Sequence, residues 1–519
     1  MESAVKTLLS LARAHPGRPL LFAQGRSYTY GSFARCAAGL AGDLKAGGLA
    51  RGERVALLLE EYDDFFISMF AVWLAGGVVV PLNTALPKAD LLALVDKVRP
   101  SVVLAGSGVT LDGDGSGRDA VPAAVPAAPP VPAAALVPAD VGLYKTVSAG
   151  DLREADLATL DGLDPVTPTE LAMVMFTSGT TGVPKGVCQH LEAIGTNAAL
   201  VAGVLGLTAD DRIFINTPPY FTSGICHFLT LMACGGSTAG RLGFFFGGGL
   251  LAEMAALGCT GFGGAPAHLV RVVEPFDEPQ ATAALRFWVS SGDHLPPDVI
   301  ARMRVILPGV RLFNMYGLTE VSGRLCVLPP DELDRRSGSV GRPIGAMTVT
   351  VRRADGSAAD DGETGELFVA GPLVMQGYLD EPQITAKSLT PHGFRTGDYG
   401  RLDADGFVWI EGRHDDIIKR GGVKVSLVHI QQALRSLGQF TDVAVAAADD
   451  ELAGHVPVAF VVPADPAEFK SAAVMRALRG ILPAVSLPRR VVPLAAIPRT
   501  GSGKAIRAEL LRLDRDGTR

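Results

Sequence analysis

The chain has 519 residues, of which 48% are hydrophobic and 19% are charged. A chain of this length is too long to form one ordinary hydrophobic core, so we expect several domain-sized units. The composition excludes an intrinsically disordered chain. The formal net charge of -7 provides no general attraction to nucleic acid or to anionic lipid. A polyanionic ligand must therefore be held by a local site.

The cysteines and the N-terminus indicate an intracellular protein. The six cysteines are scattered, without a CxxC pair or the spacing of a zinc site, which fits a reducing cytoplasm. Residues 1–19 have apolar residues at helical spacing, which predicts an amphipathic helix and not a secretion signal. The longest apolar run, Ile67 to Leu82, is split by two glycines, so we expect helix, turn and buried strand, and no membrane span.

The first part of the chain has the pattern of a layered α/β protein. The helical pattern from Tyr28 to Ala46 alternates with apolar runs at Arg54 to Leu59 and Val78 to Leu82. Residues 119–140 are rich in alanine and proline and predict a surface loop. Strand and helix patterns resume at Leu171 to Phe176 and continue through Glu320.

The pattern changes after Glu320. Strand-like stretches at Thr348 to Arg352, Gly365 to Val369 and Phe407 to Glu411 predict a β-rich subdomain. The last hundred residues mix strand and helix patterns and end in a polar loop from Pro498 to Lys504. We therefore predict an α/β protein with a large N-terminal domain of several subdomains and a small α+β C-terminal domain.

The segment FTSGTTGVPKGV, Phe176 to Val187, combines hydroxyl groups, glycines and a lysine directly after an apolar run. Glycines allow backbone N–H groups to approach anionic oxygens, the hydroxyl groups add donors, and Lys185 adds a mobile positive charge. A glycine-rich surface turn would need neither the hydroxyl run nor the lysine. The order of residues is not that of a Walker A loop.

The whole chain resembles the adenylate-forming superfamily, which includes acyl-CoA and aryl-CoA synthetases, peptide-synthetase adenylation domains and luciferases. Six motifs occur in the family's order: the phosphate loop, NMYGLTE at 314–320, GELFVAGPLVMQGYLDEPQIT at 365–385, TGDYG at 396–400, GRHDDIIKRGG at 412–422 and PRTGSGK at 498–504. The resemblance implies a ligase that uses ATP and Mg²⁺ to convert a carboxylic acid into an acyl-adenylate and pyrophosphate.

The resemblance leaves the second step open. Coenzyme A is the favoured acceptor of the acyl group, and the alternatives are an amine or amino acid, as in an amide synthetase, or the arm of a carrier protein. A non-catalytic nucleotide-binding regulator on the same fold is a hypothesis of a different class.

The resemblance also implies how the chain is divided. We expect an AMP-binding domain at residues 1–414 and a mobile C-terminal domain at residues 415–519, with a hinge at Asp415. The loop of the second domain would bring Lys504 to the reacting carboxylate and phosphate. Gly421 and Gly422 would line the path used in the second step, and Lys419 is a candidate for the same step, with a solvated surface lysine as the alternative.

The same resemblance assigns roles to the central motifs. Glu320 would help hold Mg²⁺ and Thr319 would contact phosphate, although both residue types also favour the first turn of a helix. Tyr316 and Asn314 would contact adenine, Asp398 the ribose, and Arg413 the ribose and phosphate. The full predicted ATP or AMP site is Thr177, Ser178, Gly179, Thr180, Thr181, Gly182, Lys185, Gly292, Asp293, Asn314, Met315, Tyr316, Gly317, Thr319, Asp398, Arg413 and Lys504.

The predicted acid pocket begins in NTPPYFTSGICHF, Asn216 to Phe228. Members that activate amino acids place an aspartate where this chain has Thr222, so an α-amino acid is disfavoured. Phe221 and the SSGDHLP stretch at 290–296 resemble benzoate-type ligases and favour a neutral aryl or cyclic acid. The predicted pocket residues are Tyr220, Phe221, Thr222, Gly224, Phe262 and Gly317, of which the aromatic ones could equally be core residues.

One segment departs from the family pattern. Many acyl-CoA synthetases have a proline and two glutamates after the Gly-Gly turn, whereas this chain reads KVSLVHIQQ at 424–432. We expect adenylation to survive this change and the geometry of the second step to differ.

Overall fold

In the computed structural model the chain forms two compact units, Met1–Thr348 with Val369–Phe394, and Val349–Phe368 with Arg395–Arg519. The structure describes residues 3–23, 25–106, 143–147, 152, 154–158, 163–177, 184–241, 248–273, 276, 284–292, 295, 297–336, 338–413, 416–420, 423–450, 454–499 and 505–516. The boundary predicted at residue 415 lies inside the second of these units, and the division at 415 stays a prediction. Asp415 lies outside the described residues.

The helices that lie in the first unit surround its sheets. They are α1 (Ala4–Ala14), α2 (Tyr30–Ala46), α3 (Tyr62–Leu74), α4 (Lys88–Val98), α5 (Leu191–Leu205), α6 (Thr222–Ala233), α7 (Gly248–Ala256), α8 (Pro266–Val273), α9 (Pro297–Ile306) and α10 (Pro382–Ser388).

The strands up to the start of the second unit are β1 (Pro19–Ala23), β2 (Arg26–Thr29), β3 (Arg54–Leu58), β4 (Val78–Pro81), β5 (Val102–Gly106), β6 (Leu143–Val147), β7 (Leu171–Thr177), β8 (Lys185–His190), β9 (Arg212–Ile215), β10 (Ser237–Gly240), β11 (Gly261–Gly264), β12 (Phe287–Ser291), β13 (Arg311–Tyr316), β14 (Cys326–Leu328) and β15 (Ser339–Pro343). The later strands are β16 (Thr348–Arg352), β17 (Gly365–Ala370), β18 (Gly377–Tyr378), β19 (Leu389–Thr390), β20 (Gly393–Leu402), β21 (Val408–Arg413), β22 (Ile417–Arg420), β23 (Val423–Ser426), β24 (Phe440–Asp450), β25 (Gly454–Pro463) and β26 (Val491–Pro493).

Two sheets organise the first unit. One runs β15-β14-β13-β12-β11-β9-β10-β1-β2, and from β13 to β1 its neighbouring strands are parallel. The other runs β18-β8-β7-β4-β3-β5-β6, with an antiparallel β7–β8 hairpin beside the parallel strands. Parallel strands joined through helices confirm the predicted α/β class.

An aromatic cluster fills the core between these layers. Phe66 of α3 stacks on Phe228 of α6 with ring centroids 4.0 Å apart, and Phe70 meets Trp73 and Phe33 edge to face. The whole of α3 is buried and, beyond its first turn with Asp63 and Asp64, it is almost entirely apolar, as expected for a helix enclosed by protein on every side. The described residues contain no helix long and apolar enough to span a membrane.

The second unit combines a β-rich part with an α+β part. Its first part runs β16-β17-β20-β21, and its second is the sheet β23-β22-β25-β24 with β26 parallel to β25. Helices α11 (Leu427–Arg435), α12 (Ser471–Arg479) and α13 (Arg507–Asp516) belong to this unit. Residues of α11, β24, β25 and α12 share one hydrophobic core, which confirms the predicted compact C-terminal α+β region.

Most predicted elements are present, with one shift at an N-terminus. The helical pattern from Tyr28 divides into the end of β2 and α2, which begins at Tyr30 because Thr29 and Ser32 form a capping box. The split apolar run becomes α3, a turn at the two glycines, and β4, as predicted. The alanine- and proline-rich segment 119–140 lies outside the described residues.

Candidate active site

The β7–β8 hairpin carries the predicted phosphate loop at its tip. Thr177 ends β7 opposite Lys185, which begins β8, so the two ends of the loop are paired residues of one hairpin. A Cβ on Gly186 would lie 2.9 Å from a methyl carbon of Val174 and 3.1 Å from Leu379. The absence of a side chain at Gly186 is therefore explained by strand packing.

Three polar side chains meet beside this hairpin. The Nζ of Lys185 lies 5.5 Å from the ring centroid of Tyr378, within the range of a cation–π interaction. The Tyr378 hydroxyl donates a hydrogen bond of 3.0 Å to Oε1 of Glu320. The predicted phosphate-binding lysine and the predicted metal-binding carboxylate are thus joined through one tyrosine.

The segment that carries Glu320 is a tight turn stabilised by its own backbone. Thr319 to Val321 form a single 3-10 turn after β13. A Cβ on Gly317 would meet the carbonyl oxygen of Gly323 at 1.7 Å, so residue 317 must be glycine for the turn to close. The backbone N–H of Met375 donates to the carbonyl of Glu320 at 2.8 Å and fixes the turn from outside.

Thr319 connects this turn to the predicted acid pocket. Its hydroxyl lies 2.9 Å from the hydroxyl of Thr222, the first residue of α6. The side-chain amide of Gln189 in β8 donates to the carbonyl of Thr319. The structure therefore places residues of the predicted phosphate and acid sites in direct contact.

The predicted adenine residues lie together on β13. Asn314 is buried and its amide donates to the carbonyl of Ser339 in β15 at 3.1 Å, so part of its hydrogen-bonding capacity already holds a strand that lies beyond β14 in the sheet. Met315 is buried and Tyr316 is half-buried at the end of the strand. Gly292 follows β12 with a φ of 102°, a conformation that favours glycine.

The predicted acid-pocket residues divide between half-buried positions before α6 and the core. Tyr220 and Phe221 are half-buried and meet edge to face at 4.9 Å, directly before α6. Gly224 allows α6 to approach the carbonyl of Pro218, which a Cβ would meet at 2.7 Å. Phe262 is fully buried against Trp288 at 4.2 Å, which is the core alternative named above.

A second group of polar side chains lies buried at the far end of the same turn. Arg324 is only 6% exposed, and its Nη2 lies 3.2 Å from Nε2 of His227 in α6. Asn197 of α5 accepts from the Arg324 N–H at 3.3 Å and donates to its carbonyl at 2.7 Å. Burial and the charge of Arg324 hold the pKa of His227 well below its ordinary value.

Some predicted site residues belong to the second unit. Asp398 and Arg413 are direct partners in the antiparallel pairing of β20 and β21, so the structure brings these two residues together. Asp398 is buried, and its N–H donates to Oγ1 of Thr396 at 3.0 Å. Lys419 lies in β22 opposite Lys424 of β23.

The described residues also include the chain on either side of the lysine loop. Arg499 pairs with Ala505 in an isolated bridge, and the Ile506 N–H donates to the carbonyl of Pro498 at 2.8 Å. Arg499 also forms a bidentate ion pair with Asp442 of β24. The predicted residues that lie outside the described part of the chain are Ser178, Gly179, Thr180, Thr181, Gly182, Asp293, Asp415, Gly421, Gly422 and Lys504.

The segment that departs from the family pattern forms an ordinary helix start. Ser426 caps α11 by accepting from the His429 N–H at 3.3 Å, and its hydroxyl donates to the carbonyl of Glu411 at 2.8 Å. Leu427 is buried in the core of the second unit. Serine is a preferred N-cap residue, so this local structure does not require the glutamates that many relatives have.

The site residues suit Mg²⁺ held jointly with a nucleotide. No group of three or more potential metal ligands of the His, Cys, Asp or Glu type occurs in the described ranges. Magnesium is commonly bound through one or two carboxylates together with substrate phosphates and water. Glu320, beside Lys185 and the phosphate-loop hairpin, fits that requirement.

Tyr378, Gln189, His227 and Arg324 were not assigned to the site from sequence. Tyr378 and His227 lie within the segments 365–385 and 216–228 quoted above, which is the one signal that could have found them. Gln189 lies in β8 and Arg324 at the end of the turn, and their spacing along the chain gives no indication of these contacts.

Comparison with known proteins identifies the family of this chain. Residues 10–379 match the AMP-binding enzyme family, and residues 429–504 match the AMP-binding enzyme C-terminal domain. The chain belongs to the AMP-binding enzyme family. The predicted membership of the adenylate-forming superfamily, the fold class and the enzyme assignment are thereby confirmed.

Individual AMP-binding enzymes match over nearly the whole chain. The indoleacetate–CoA ligase of Aromatoleum aromaticum is 29% identical over 97% of this chain and 96% of its own. The sulfoacetate–CoA ligase of Cupriavidus necator is 30% identical over 96% of this chain and 95% of its own. Among solved structures, ATP-bound MatB from Rhodopseudomonas palustris is 26% identical over 99% of both chains, with a TM-score of 0.83.

Proposed function

We propose that this AMP-binding enzyme activates a carboxylic acid with ATP and transfers the acyl group to coenzyme A. The observation that carries the proposal is the cluster of Lys185, Tyr378 and Glu320 beside the phosphate-loop hairpin, in contact through Thr319 with Thr222 of the predicted acid pocket. Phosphate-binding and acid-binding residues adjoin there, as a reaction between a carboxylate and a phosphate requires.

The first step brings two anions together, so the site must neutralise negative charge. The carboxylate of the acid attacks the α-phosphorus of ATP, the acyl-phosphate bond forms, and pyrophosphate leaves. Lys185 and Thr319 would contact phosphate oxygens, and Glu320 would hold Mg²⁺. The metal, when bound, supplies positive charge that stabilises the phosphates during the displacement.

The proposed roles of the second-unit residues rest on the motifs of the family. Asp398 would accept hydrogen bonds from the ribose hydroxyls, and its strand partner Arg413 would contact ribose and phosphate. Lys504 would contact the reacting carboxylate and phosphate during adenylation. Asp415 would act as the hinge, with Gly421, Gly422 and Lys419 serving the second step.

Coenzyme A is the proposed acceptor because the curated relatives described above are named CoA ligases and align with the full length of this chain. Transfer of the acyl group from AMP to the thiol would form a thioester and release AMP. The cytoplasm remains the proposed location, which the six free cysteines support.

The proposal for the body of the acid, beyond its reacting carboxyl, rests on the residues directly before α6. Tyr220 and Phe221 line the start of α6, and Thr222 stands where an amino-acid-activating member would have an aspartate. An aryl or cyclic body suits these aromatic side chains. The named relatives act on acids as different as indoleacetate and sulfoacetate, so family membership alone does not determine the acid.

An acid-dependent exchange of pyrophosphate into ATP tests the first step. We expect exchange with some members of a broad acid panel and a loss of about 100-fold or more in Lys504→Ala. Lys387→Ala, on the exposed surface of α10, is the matched control and should retain exchange. Absence of exchange with every acid would favour the nucleotide-binding regulator.

Mass spectrometry of the products tests the second step. Enzyme, ATP and an active acid are incubated separately with coenzyme A, with amino acids or amines, and with a carrier protein. A thioester with coenzyme A alone supports the proposal, whereas an amide in place of the thioester would identify an amide synthetase.

A further inference from the structure

Arg324 is a buried cation without a counter-ion among the described residues. Its side-chain contact is with a histidine, and none of the ion pairs of the described residues includes it. Burial lowers the pKa of Arg324, yet a guanidinium remains charged throughout the physiological range. A positive charge therefore lies inside the first unit, four residues after Glu320.

His227 cannot neutralise this charge. Arginine has no acceptor, so Nη2 must donate to Nε2, and the proton of the imidazole then resides on Nδ1. The lowered pKa of His227 keeps the ring neutral in this arrangement. The ring lies over Gly263 of β11, where a Cβ would be 2.6 Å from it. The fold thus makes room for a histidine that adds a donor and no negative charge.

The other polar neighbours are neutral as well. Asn197 uses its amide oxygen and nitrogen on the backbone of Arg324, so it positions the residue without compensating the guanidinium. Cys226 directs its thiol to the carbonyl of Ser322 at 3.6 Å, and burial raises its pKa, so it remains protonated. A buried charge surrounded by neutral groups is costly unless an anion joins it.

The position of the group connects it with the acid pocket. Thr222 begins α6 and His227 follows it by five residues, which corresponds to about 7.5 Å along the helix axis. A Cβ on Gly323 would lie 3.6 Å from the Thr222 side chain and close to Cys226. An acid whose reacting carboxylate lies near Thr222 and Thr319 would therefore extend along α6 towards His227 and Arg324.

We infer that the activated acid carries a second anionic group, a carboxylate or a sulfonate, at the end opposite the reacting carboxyl, and that Arg324 and His227 bind it. The inference rests on the proposed function and replaces the neutral acid favoured from sequence with an acid that is charged at its far end. The aryl or cyclic body is retained. Arg324 would then determine specificity and take no part in the chemistry.

Matched pairs of acids test this assignment in the wild-type protein. Terephthalate, isophthalate and cyclohexane-1,4-dicarboxylate are compared with their monomethyl esters, and 4-sulfobenzoate with benzoate, by kcat/KM in the pyrophosphate exchange assay. We expect the doubly charged member to be favoured by about 100-fold or more, because the neutral partner leaves the buried guanidinium unpaired. Equal or better use of the esters and of benzoate would overturn the inference. The carboxylate and sulfonate arms show which anion is preferred.

Variants of Arg324 then assign the preference to the residue. Arg324→Met should remove the preference by lowering kcat/KM for the diacids and not for the esters, and Arg324→Lys should restore part of it. Arg336→Met, which removes the partly buried partner of Glu332, is the matched control. A similar loss for diacids and esters in Arg324→Met would show a structural role only. Where Arg324→Met does not fold, the wild-type ratio and Arg324→Lys decide the question.

Calorimetric titration of the nucleotide-free protein separates this inference from the proposed function. Terephthalate and cyclohexane-1,4-dicarboxylate should bind the wild type and bind Arg324→Lys more weakly, whether or not exchange occurs. Binding without exchange for any acid would retain the anion site and refute the ligase. Exchange with neutral acids, without any advantage from a second charge, would retain the ligase and refute the anion site. Neither binding nor exchange would refute both.

Discussion

The turn from Thr319 to Arg324 carries two charged side chains in contrasting surroundings. Glu320 is half-buried and accepts from the hydroxyl of a tyrosine whose ring adjoins Lys185, so ligands can reach the carboxylate and a positive charge lies in the same cluster. Arg324 is buried among neutral groups and its charge is uncompensated by the described residues. The difference shows that one short segment can carry a general site for nucleotide and metal together with a selective site for one acid.

Removal of the Glu320 carboxylate charge should have the largest effect. Glu320→Gln keeps the size of the side chain and removes the ligand proposed for Mg²⁺, so we expect kcat/KM for pyrophosphate exchange to fall by about 100-fold or more with every acid. Glu332→Gln changes the partly buried partner of Arg336 and is the control. If only the diacids were affected, the proposed separate roles of Glu320 in Mg²⁺ binding and of Arg324 in acid selection would be wrong.

Crowding the other end of the turn should reduce stability. In Gly263→Ala the new methyl group would meet the His227 ring at 2.6 Å, and we expect the free energy of unfolding to fall by about 2 kcal/mol. Urea denaturation measures this change. Gly203→Ala, on the exposed face of α5 with no atom within 4 Å of its Cβ, should instead be neutral or slightly stabilising. Equal effects of the two substitutions would contradict the described packing of His227.

Tyr378→Phe isolates the hydroxyl that contacts Glu320. The ring beside Lys185 remains, so we expect a loss of about tenfold, seen mainly as a requirement for more Mg²⁺. Tyr378→Leu, which also removes the ring, should lose more activity. A titration of activity against Mg²⁺ distinguishes the two variants, and an unchanged Mg²⁺ requirement in Tyr378→Phe would exclude the proposed support of the carboxylate.

The smallest expected effect concerns the pH dependence of stability. The pKa of His227 is lower in the fold than its ordinary value near 6.5, so the unfolded chain binds the proton more readily and stability falls as pH decreases below that value. His227→Gln should therefore show a shallower decline of the unfolding free energy between about pH 7 and pH 5 than the wild type.

The sequence predicted the elements of the first unit well because their signals are local. The apolar runs at β3, β4 and β7 and the two glycines after α3 are visible in short windows of sequence. The start of α2 was misplaced by two residues because Tyr28 fits both the end of a strand and a helical stripe, and the capping box at Thr29 decides between them.

The site was only partly predictable. Glu320, Thr319 and Lys185 lie in motifs, and the structure brings them to one hairpin and one turn. The contacts of Tyr378 with Glu320 and of Arg324 with His227 join residues 58 and 97 positions apart, so no local pattern indicates them. Arg324 reads in sequence as an ordinary surface arginine, and only its burial distinguishes it.

Residues 375–379 form a short strap across two other parts of the first unit, β8 and the turn that carries Glu320. The Leu379 and Gln376 N–H groups donate to carbonyls of β8, at 2.7 and 2.9 Å, while the Met375 N–H donates to the carbonyl of Glu320. Because hydrogen bonds hold both ends of this strap, it connects β8 tightly to the turn that carries Glu320. A displacement of the β7–β8 hairpin would therefore be transmitted to Glu320, so the carboxylate would move together with the hairpin that bears the phosphate loop.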